Sequence, residues 1–371
     1  MSISFLIKPA SSSCNMRCTY CFYADVTDHR EIKNYGIMSE ETTEVVIIRA
    51  FEAAKRQITF AFQGGEPTLA GLDFFKNWVK LTKKHNTKKL PVHFAIQTNG
   101  MAIDQEWATF FHNNRFLVGI SLDGPKEIHD HYRILSDGSG SYKKVLQAID
   151  WLKKEHVDFN ILSVVNQTVA KHPTKVYNFF KKQGFQYLQF IPCLDDLGQA
   201  QGTNPLSVTS ERYGQFLIQL FDLWYRDWKA GSPVSIRMFD NVLQILLTGQ
   251  PESCDMNGHC TVNAVVEADG SVYPCDFYVT DSWKLGNLHD SSLAELSQIP
   301  LATTFVEESL HTDPACKTCN HLHVCRGGCK RHKEPKVNGH YQSNIFCSAY
   351  KKFYDATATR FLEIARTETG R

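Results

Sequence analysis

The sequence lacks several things that would place it in common functional classes. Forty basic residues face 39 acidic ones, so there is no excess positive charge of the kind a broad nucleic-acid surface needs. No run of about twenty apolar residues could cross a bilayer, and no basic start followed by an apolar stretch marks a secretory leader. A cytoplasmic protein without a membrane or nucleic-acid partner is expected. What the chain does have is cysteine: 12 in 371 residues. In a leaderless chain, thiols are more often metal ligands or reactive groups than disulfide partners. They are unevenly spread: three precede residue 22, Cys193 stands alone, and eight lie between Cys254 and Cys347.

The first three sit in Ser11 to Tyr23, SSSCNMRCTYCFY. Cys14, Cys18 and Cys21 are close enough for one loop to wrap one inorganic core, yet they offer three thiolates where a cubic iron–sulfur cluster has four irons. One iron is left open to bind and activate a substrate, whereas structural metal sites are normally closed by four protein ligands. A zinc knuckle with a distant fourth ligand is the competing reading, and such sites more often pair two close ligands with two distant ones.

Through residue 192, β-rich runs alternate with amphipathic segments. Strands are predicted at Ile3–Ile7, Thr59–Phe62, Val92–Ile96, Phe116–Ser121, Phe159–Val165 and Tyr187–Ile191. Helices are predicted near Glu40–Ala54, Leu72–His85, Gln105–Asn113, Tyr142–Lys154 and Thr174–Lys182. Six βα units imply a parallel sheet with right-handed crossovers, either doubly wound or a partial barrel. Polar clusters recur after the strands: the cysteine loop, Gln63-Gly64-Gly65-Glu66-Pro67, Gln97-Thr98-Asn99-Gly100 and Ser121-Leu122-Asp123-Gly124. Each taken singly is an ordinary turn; together they line the rim where barrel chemistry sits.

The last third begins with a long amphipathic helix over Ser207–Lys229, capped by Ser207 or Thr209, and a second helix near Phe239–Leu247. Cys254 and Cys260 then lead into VVEADGSVYPC, a hairpin turning at Asp269-Gly270 and delivering Cys275. Cys316, Cys319, Cys325 and Cys329 follow as C-x2-C-x5-C-x3-C, with Cys347 beyond. Eight thiols suffice for two four-cysteine sites, of zinc or of iron and sulfur. Cys193 is left over and is expected to be a small buried hydrophobe.

The C-x3-C-x2-C loop, with Tyr20 before its last cysteine, resembles the signature of the radical S-adenosylmethionine (radical SAM) enzymes, and the late cysteine run resembles the SPASM module. The resemblance implies a six-stranded partial (β/α)6 barrel of the radical SAM type followed by a small cysteine-rich domain with two auxiliary clusters. It implies boundaries at 1–235 for the barrel with its following helix, 236–350 for the auxiliary-cluster domain and 351–371 for a terminal helix. Three [4Fe–4S] clusters and SAM are the implied cofactors. Cys14, Cys18 and Cys21 would hold the first cluster. Cys254, Cys260, Cys275 and Cys329 would hold the second, and Cys316, Cys319, Cys325 and Cys347 the third. Tyr20, Gly64, Gly65, Glu66, Thr98, Asn99, Ser121 and Arg133 would contact SAM, with the glycines permitting close approach, Glu66 taking the ammonium group and Arg133 the carboxylate.

Segments such as LIKPASS, FAFQGGEPTLAG, IQTNG, VGISLDGPKEIH and LGNLHD, with Cys275-Asp276-Phe277-Tyr278, look like the anaerobic sulfatase-maturating enzymes. That resemblance implies oxidation of a sulfatase cysteine or serine to Cα-formylglycine after hydrogen abstraction from its Cβ. Asp276 would be the base, placed by Cys275 where partial burial suits a carboxylate to proton transfer. Tyr23, Gln63 and Arg237 would contact the substrate peptide. The implied partners are an unfolded sulfatase segment of the C/S-x-P/A-x-R type and a flavodoxin or ferredoxin reductant, acting on a monomer. The alternative is a related enzyme that cross-links or epimerises a ribosomal peptide. Such enzymes often carry an added leader-binding domain, for which a first strand at Ile3 is expected to leave no room.

Overall fold

Phe5 and Ile7 alternate with more exposed neighbours along β1 (Ser2–Ile7), and Ile58, Phe60 and Phe62 do the same along β2 (Gln57–Phe62). This period of two sends one set of side chains into the core. β3 (Val92–Thr98) and β4 (Phe116–Ser121) continue the layer, each strand pairing in parallel with the one before it. The connecting helices cover the sheet. Leu72–His85 buries Phe75, Trp78, Val79 and Leu81, with Phe75 edge-on to Phe62 at 5.0 Å, and ends on Lys83, Lys84 and His85, where cations suit the helix dipole. This helix, Gln105–Asn113 and Tyr142–Lys154 have the bounds read from periodicity.

The computed structural model describes residues 2–368 and divides into two compact units, each discontinuous in sequence. The first comprises Met1–Ser121, Asp130–Asn160 and Thr261–Phe305. The second comprises Leu122–His129, Ile161–Cys260 and Val306–Arg371. The sequential boundaries expected at 235 and 350 therefore do not coincide with these units. The former separates the two residues of β7 (Ser235–Ile236), and the latter falls inside the helix Cys347–Glu368. Residues 369–371 of the expected terminal helix lie outside the described residues.

The late hairpin belongs to the first unit. β8 (Ala264–Val266) and β9 (Ser271–Tyr273) turn at Asp269-Gly270 as expected, and β10 (Gly286–Asn287) follows. The unexpected feature is that β8 adds in parallel to the free edge of β1, with Phe5 opposite Ala264 and Ile7 opposite Val266. The order in this unit is thus β10-β9-β8-β1-β2-β3-β4. Adding a strand satisfies edge donors and acceptors that would otherwise be exposed. The registration is locked by a buried ion pair: Arg30 Nη1 lies 2.6 Å from Glu267 Oε1, with side chains 2% and 0% exposed.

In the second unit, β5 (Phe159–Val165), β6 (Tyr187–Pro192) and β7 pair in parallel. All six expected strands thus exist in chain order. Thr209, not Ser207, caps the helix Ser210–Lys229; Ser207 Oγ instead donates to Asp195 at 3.0 Å. This helix lies against Cys347–Glu368, with Phe221 and Phe361 4.5 Å apart. A Cβ on Gly214 would come within 3.0 Å of Ala349 Cα, so close helix approach requires glycine there. No helix among the described residues is long and apolar enough to cross a membrane.

Because the Arg30–Glu267 pair is buried, removing one partner strands the other charge. Glu267→Ala should destabilise the fold by about 3–5 kcal/mol, read as a lowered midpoint in an anaerobic denaturant melt. A midpoint equal to the parent's would show that the pair does not hold the hairpin.

Candidate active site

The loop carrying Cys14, Cys18 and Cys21 leaves β1 and is pinned by backbone bonds. Ser13 N–H donates to Ala10 O at 2.9 Å, Cys21 N–H to Cys18 O at 3.2 Å, Arg17 N–H to Ile134 O at 2.8 Å and Thr19 N–H to Tyr132 O at 3.0 Å. Met16 N–H points at Cys14 Sγ, 3.4 Å away. Burial is the main influence on the Cys14 thiol, pushing it up to about 12, with the Cys18 and Cys21 charges adding to the rise. Three thiols on one loop suit a positively charged inorganic core, which replaces their protons on binding. The donor set therefore fits a cluster with three protein ligands.

The glycine pair has a use besides the close ligand approach expected of it. A Cβ on Gly65 would sit 2.1 Å from Ser13 O and 2.7 Å from the Ser12 carbonyl, and one on Gly64 would meet Ser11 O at 3.0 Å. Gly65 N–H donates to Ser11 O at 3.0 Å and Glu66 N–H to Ser13 O at 2.7 Å. These glycines let the turn after β2 press directly onto the cysteine loop.

Glu66 is 1% exposed. Its Oε1 accepts from Thr68 N at 3.1 Å, Thr68 Oγ1 at 2.6 Å and Thr98 Oγ1 at 2.7 Å, and its Oε2 accepts from Asn99 N at 2.8 Å. Burial raises its pKa above the ordinary glutamate value, and these donors oppose the rise. The carboxylate thus joins the turns after β2 and β3. Asn99 Nδ2 donates to Asn15 Oδ1 at 2.8 Å, carrying the same network back to the cysteine loop. Thr98 and Asn99, expected to contact SAM, here hydrogen-bond to Glu66, and Asn99 also to Asn15. Ser121 Oγ accepts from Gln97 Nε2 at 3.2 Å. Arg133 is buried, with its guanidinium 5.4 Å from the Tyr20 ring.

A second constellation lies at the C-terminal end of β1. Tyr23 Oη donates to Asp276 Oδ2 at 2.6 Å, and Gln63 Nε2 donates to Tyr23 Oη at 2.6 Å and to Asp276 Oδ2 at 3.3 Å. Lys8 Nζ lies 3.2 Å from Asp276 Oδ1 as an ion contact, without hydrogen-bond alignment, and 4.4 Å over the Tyr23 ring. The Lys8 and Asp276 side chains are 4% and 15% exposed. Burial, reinforced by Asp276, holds the Tyr23 phenol well above its usual range, so it remains a donor at neutral pH. Sequence reasoning named Tyr23, Gln63 and Asp276 but missed Lys8. Its signal was a lone charge directly after an apolar strand, within the LIKPASS segment.

In the second unit, Cys316, Cys319, Cys325 and Cys347 line one cavity of about 60 Å³. Burial pushes Cys325 up to about 11, and the charges of Cys347, Cys316 and Cys319 add to the rise, as expected for thiols converging on one site. Cys329 is raised by burial and by its neighbours Cys254 and Cys260. These two groupings fit two further multi-thiolate centres. Arg237 lines a different cavity, with Asn241, Asp255 and His332, and lies 3.6 Å from Glu252. Cys193 is buried at 4% exposure.

The parallel strands, the three-thiol loop and the multi-thiol centres define a radical SAM protein with an added iron–sulfur domain. Residues 9–172 match the Radical SAM superfamily, and 256–320 match an iron–sulfur cluster-binding domain. A cysteine-type anaerobic sulfatase-maturating enzyme of Clostridium novyi (strain NT) is 48% identical over 366 residues, covering 99% of this chain and 98% of its own length. A serine-type enzyme of Bacteroides thetaiotaomicron is 32% identical, covering 95% and 89%. The solved structure of native anSMEcpe with bound AdoMet and Cp18Cys peptide superposes with a TM-score of 0.95 at 45% identity, covering 99% of both chains. The chain belongs to the anaerobic sulfatase-maturating enzymes. Its cofactors are [4Fe–4S] clusters and SAM.

Gly65→Ala tests the packing of the turn onto the cysteine loop. Overpacking against backbone atoms should cost about 3 kcal/mol or more and should lower SAM cleavage at least tenfold, while visible absorption from the remaining clusters persists. Parent-like cleavage would show that the loop does not depend on this contact.

Proposed function

We propose that this enzyme converts the target cysteine of a sulfatase segment into Cα-formylglycine, with Asp276 as the base. The reading is carried by the convergence of Tyr23, Gln63 and Lys8 on Asp276, directly after Cys275. Cys14, Cys18 and Cys21 would hold the cluster that, with SAM bound, would supply a 5′-deoxyadenosyl radical, and the auxiliary clusters would supply an electron acceptor. Glu66, Gly64, Gly65, Thr98, Asn99, Ser121, Tyr20 and Arg133 form the SAM site, with Arg133 suited to the methionine carboxylate by its guanidinium fork. Glu66 reaches the ammonium group from its Oε2 side, since Oε1 already has three protein donors.

Loss of a Cβ hydrogen leaves a carbon radical beside sulfur. Its conversion to a thioaldehyde releases one electron and the thiol proton; Asp276 takes the proton. Water then replaces sulfur, giving the aldehyde and hydrogen sulfide. Tyr23 and Gln63 fix the Oδ2 side of the carboxylate, and Lys8 balances its charge in a partly dry site. Cys254, Cys260, Cys275 and Cys329 hold one auxiliary cluster and Cys316, Cys319, Cys325 and Cys347 the other. Arg237 holds the peptide backbone. The greater identity to the cysteine-type relative than to the serine-type one supports cysteine as the preferred target. The partner is an unfolded segment of the C-x-P/A-x-R type, with a flavodoxin or ferredoxin as reductant.

Anaerobic incubation of the reconstituted enzyme with SAM, reductant and matched cysteine and serine peptides, read by mass, should show the cysteine peptide converted at least tenfold faster. Equal rates would remove the cysteine preference; SAM cleavage without aldehyde from either peptide would remove the reaction. Asp276→Asn should keep its iron and SAM cleavage but lose about 100-fold or more of aldehyde formation, the scale of a lost general base. Cys14→Ala should abolish SAM cleavage itself.

A further inference from the structure

The turn Lys330–Lys333 buries four consecutive basic side chains: Lys330 is 1% exposed, Arg331 6%, His332 7% and Lys333 2%. Buried cations need compensation. Lys330 obtains it from Glu308 at 3.0 Å, and Arg331 from Glu334 at 3.6 Å and the Asp195 carbonyl. Lys333 is different, because its Nζ donates to two neutral oxygens, Ser309 O at 3.1 Å and His311 O at 2.8 Å. The cavity it lines carries four cysteines, Cys316, Cys319, Cys325 and Cys347, and one carboxylate, Asp313. Burial pulls its pKa below the usual lysine value, and the thiolates of Cys260, Cys329, Cys316 and Cys325 oppose that fall. Cys260 N–H donates to Ser309 Oγ at 2.8 Å, and the carbonyl of that same Ser309 accepts from Lys333, so the side chain is flanked by both late cysteine groupings.

We propose that Lys333 is a positioning residue of charge, shared by the two auxiliary clusters, whose ammonium favours the reduced state of each and so makes the pair a better acceptor for the substrate's electron. This rests on the reading that the late cysteines hold two auxiliary clusters. The electron leaves the carbon-centred substrate radical as the thiol proton passes to Asp276, so adding it to a cluster increases negative charge beside Lys333. In a medium of effective dielectric constant about 20, a neighbouring unit charge changes such an equilibrium on the order of tenfold. A lysine that merely stapled two carbonyls would have no such effect.

The test is an EPR-monitored redox titration of the reconstituted full chain, without SAM or peptide. Lys333→Gln keeps donors for Ser309 and His311 but removes the charge. It should lower the reduction equilibrium of the auxiliary clusters about tenfold, or about 59 mV for a one-electron couple. Lys333→Arg should stay near the parent, as should Lys352→Met at an exposed site. Glu308→Gln, which removes the counter-charge of Lys330, should shift the potential upward. Lys333→Gln titrating with the parent, or Gln and Arg shifting equally, would overturn the proposal. Should Lys333→Gln fail to load its clusters, Glu308→Gln decides, and an unmoved potential there would overturn it. Because no peptide is present, a failed formylglycine assay leaves these potentials readable on their own.

Discussion

A carboxylate carried in from 253 residues away meets Tyr23 at 2.6 Å. The contact depends on β8 pairing with the outer edge of β1. That pairing extends the sheet which presents the cysteine loop, so the residue after Cys275 arrives beside Lys8, Tyr23 and Gln63 on shared main-chain hydrogen bonds. A flexible tether could not hold a donor and acceptor to a few tenths of an ångström; a strand in register can. The buried Arg30–Glu267 pair then makes the register costly to change.

The same economy governs the cysteine loop. Its shape comes from backbone bonds to the segment around Tyr132 and Ile134 and from the pressure of Gly65 against Ser12 and Ser13. Glu66 joins the turns after β2 and β3 through four accepted hydrogen bonds. A buried carboxylate with that many donors is a rigid structural element as well as a negative charge. The residues expected to meet SAM therefore first have to meet one another, which leaves the cofactor site largely organised by the protein itself.

Charge is distributed with similar care in the second unit. Four buried basic residues in succession are unfavourable in an ordinary core, and three of them have obvious reasons to be there: Glu308 for Lys330, Glu334 and the Asp195 carbonyl for Arg331, and loss of the His332 charge, its pKa lowered to about 4 mainly by burial. Lys333 Nζ bonds only the Ser309 and His311 carbonyls and lines the cavity of Cys316, Cys319, Cys325 and Cys347 with Asp313.

Much of this was legible in the chain. Helices such as Leu72–His85 and Gln105–Asn113 declare themselves because burial of one face imposes a 3.6-residue period, and cysteine spacing marks metal chemistry because ligands of one centre must be close. Glycine was legible as a need for close approach, but not for which partner: Gly65 makes room for Ser12 and Ser13, and only the folded backbone identifies them. Lys8 and Lys333 looked like ordinary lysines, since a cation's role depends on which charges surround it in space. The edge pairing of β8 with β1 was not legible for the same reason, because it is a non-local choice between hydrogen-bonding partners. Local period and ligand spacing are properties of neighbours in sequence, and the chain determines them alone; register, burial and the company each charge keeps are settled by tertiary packing.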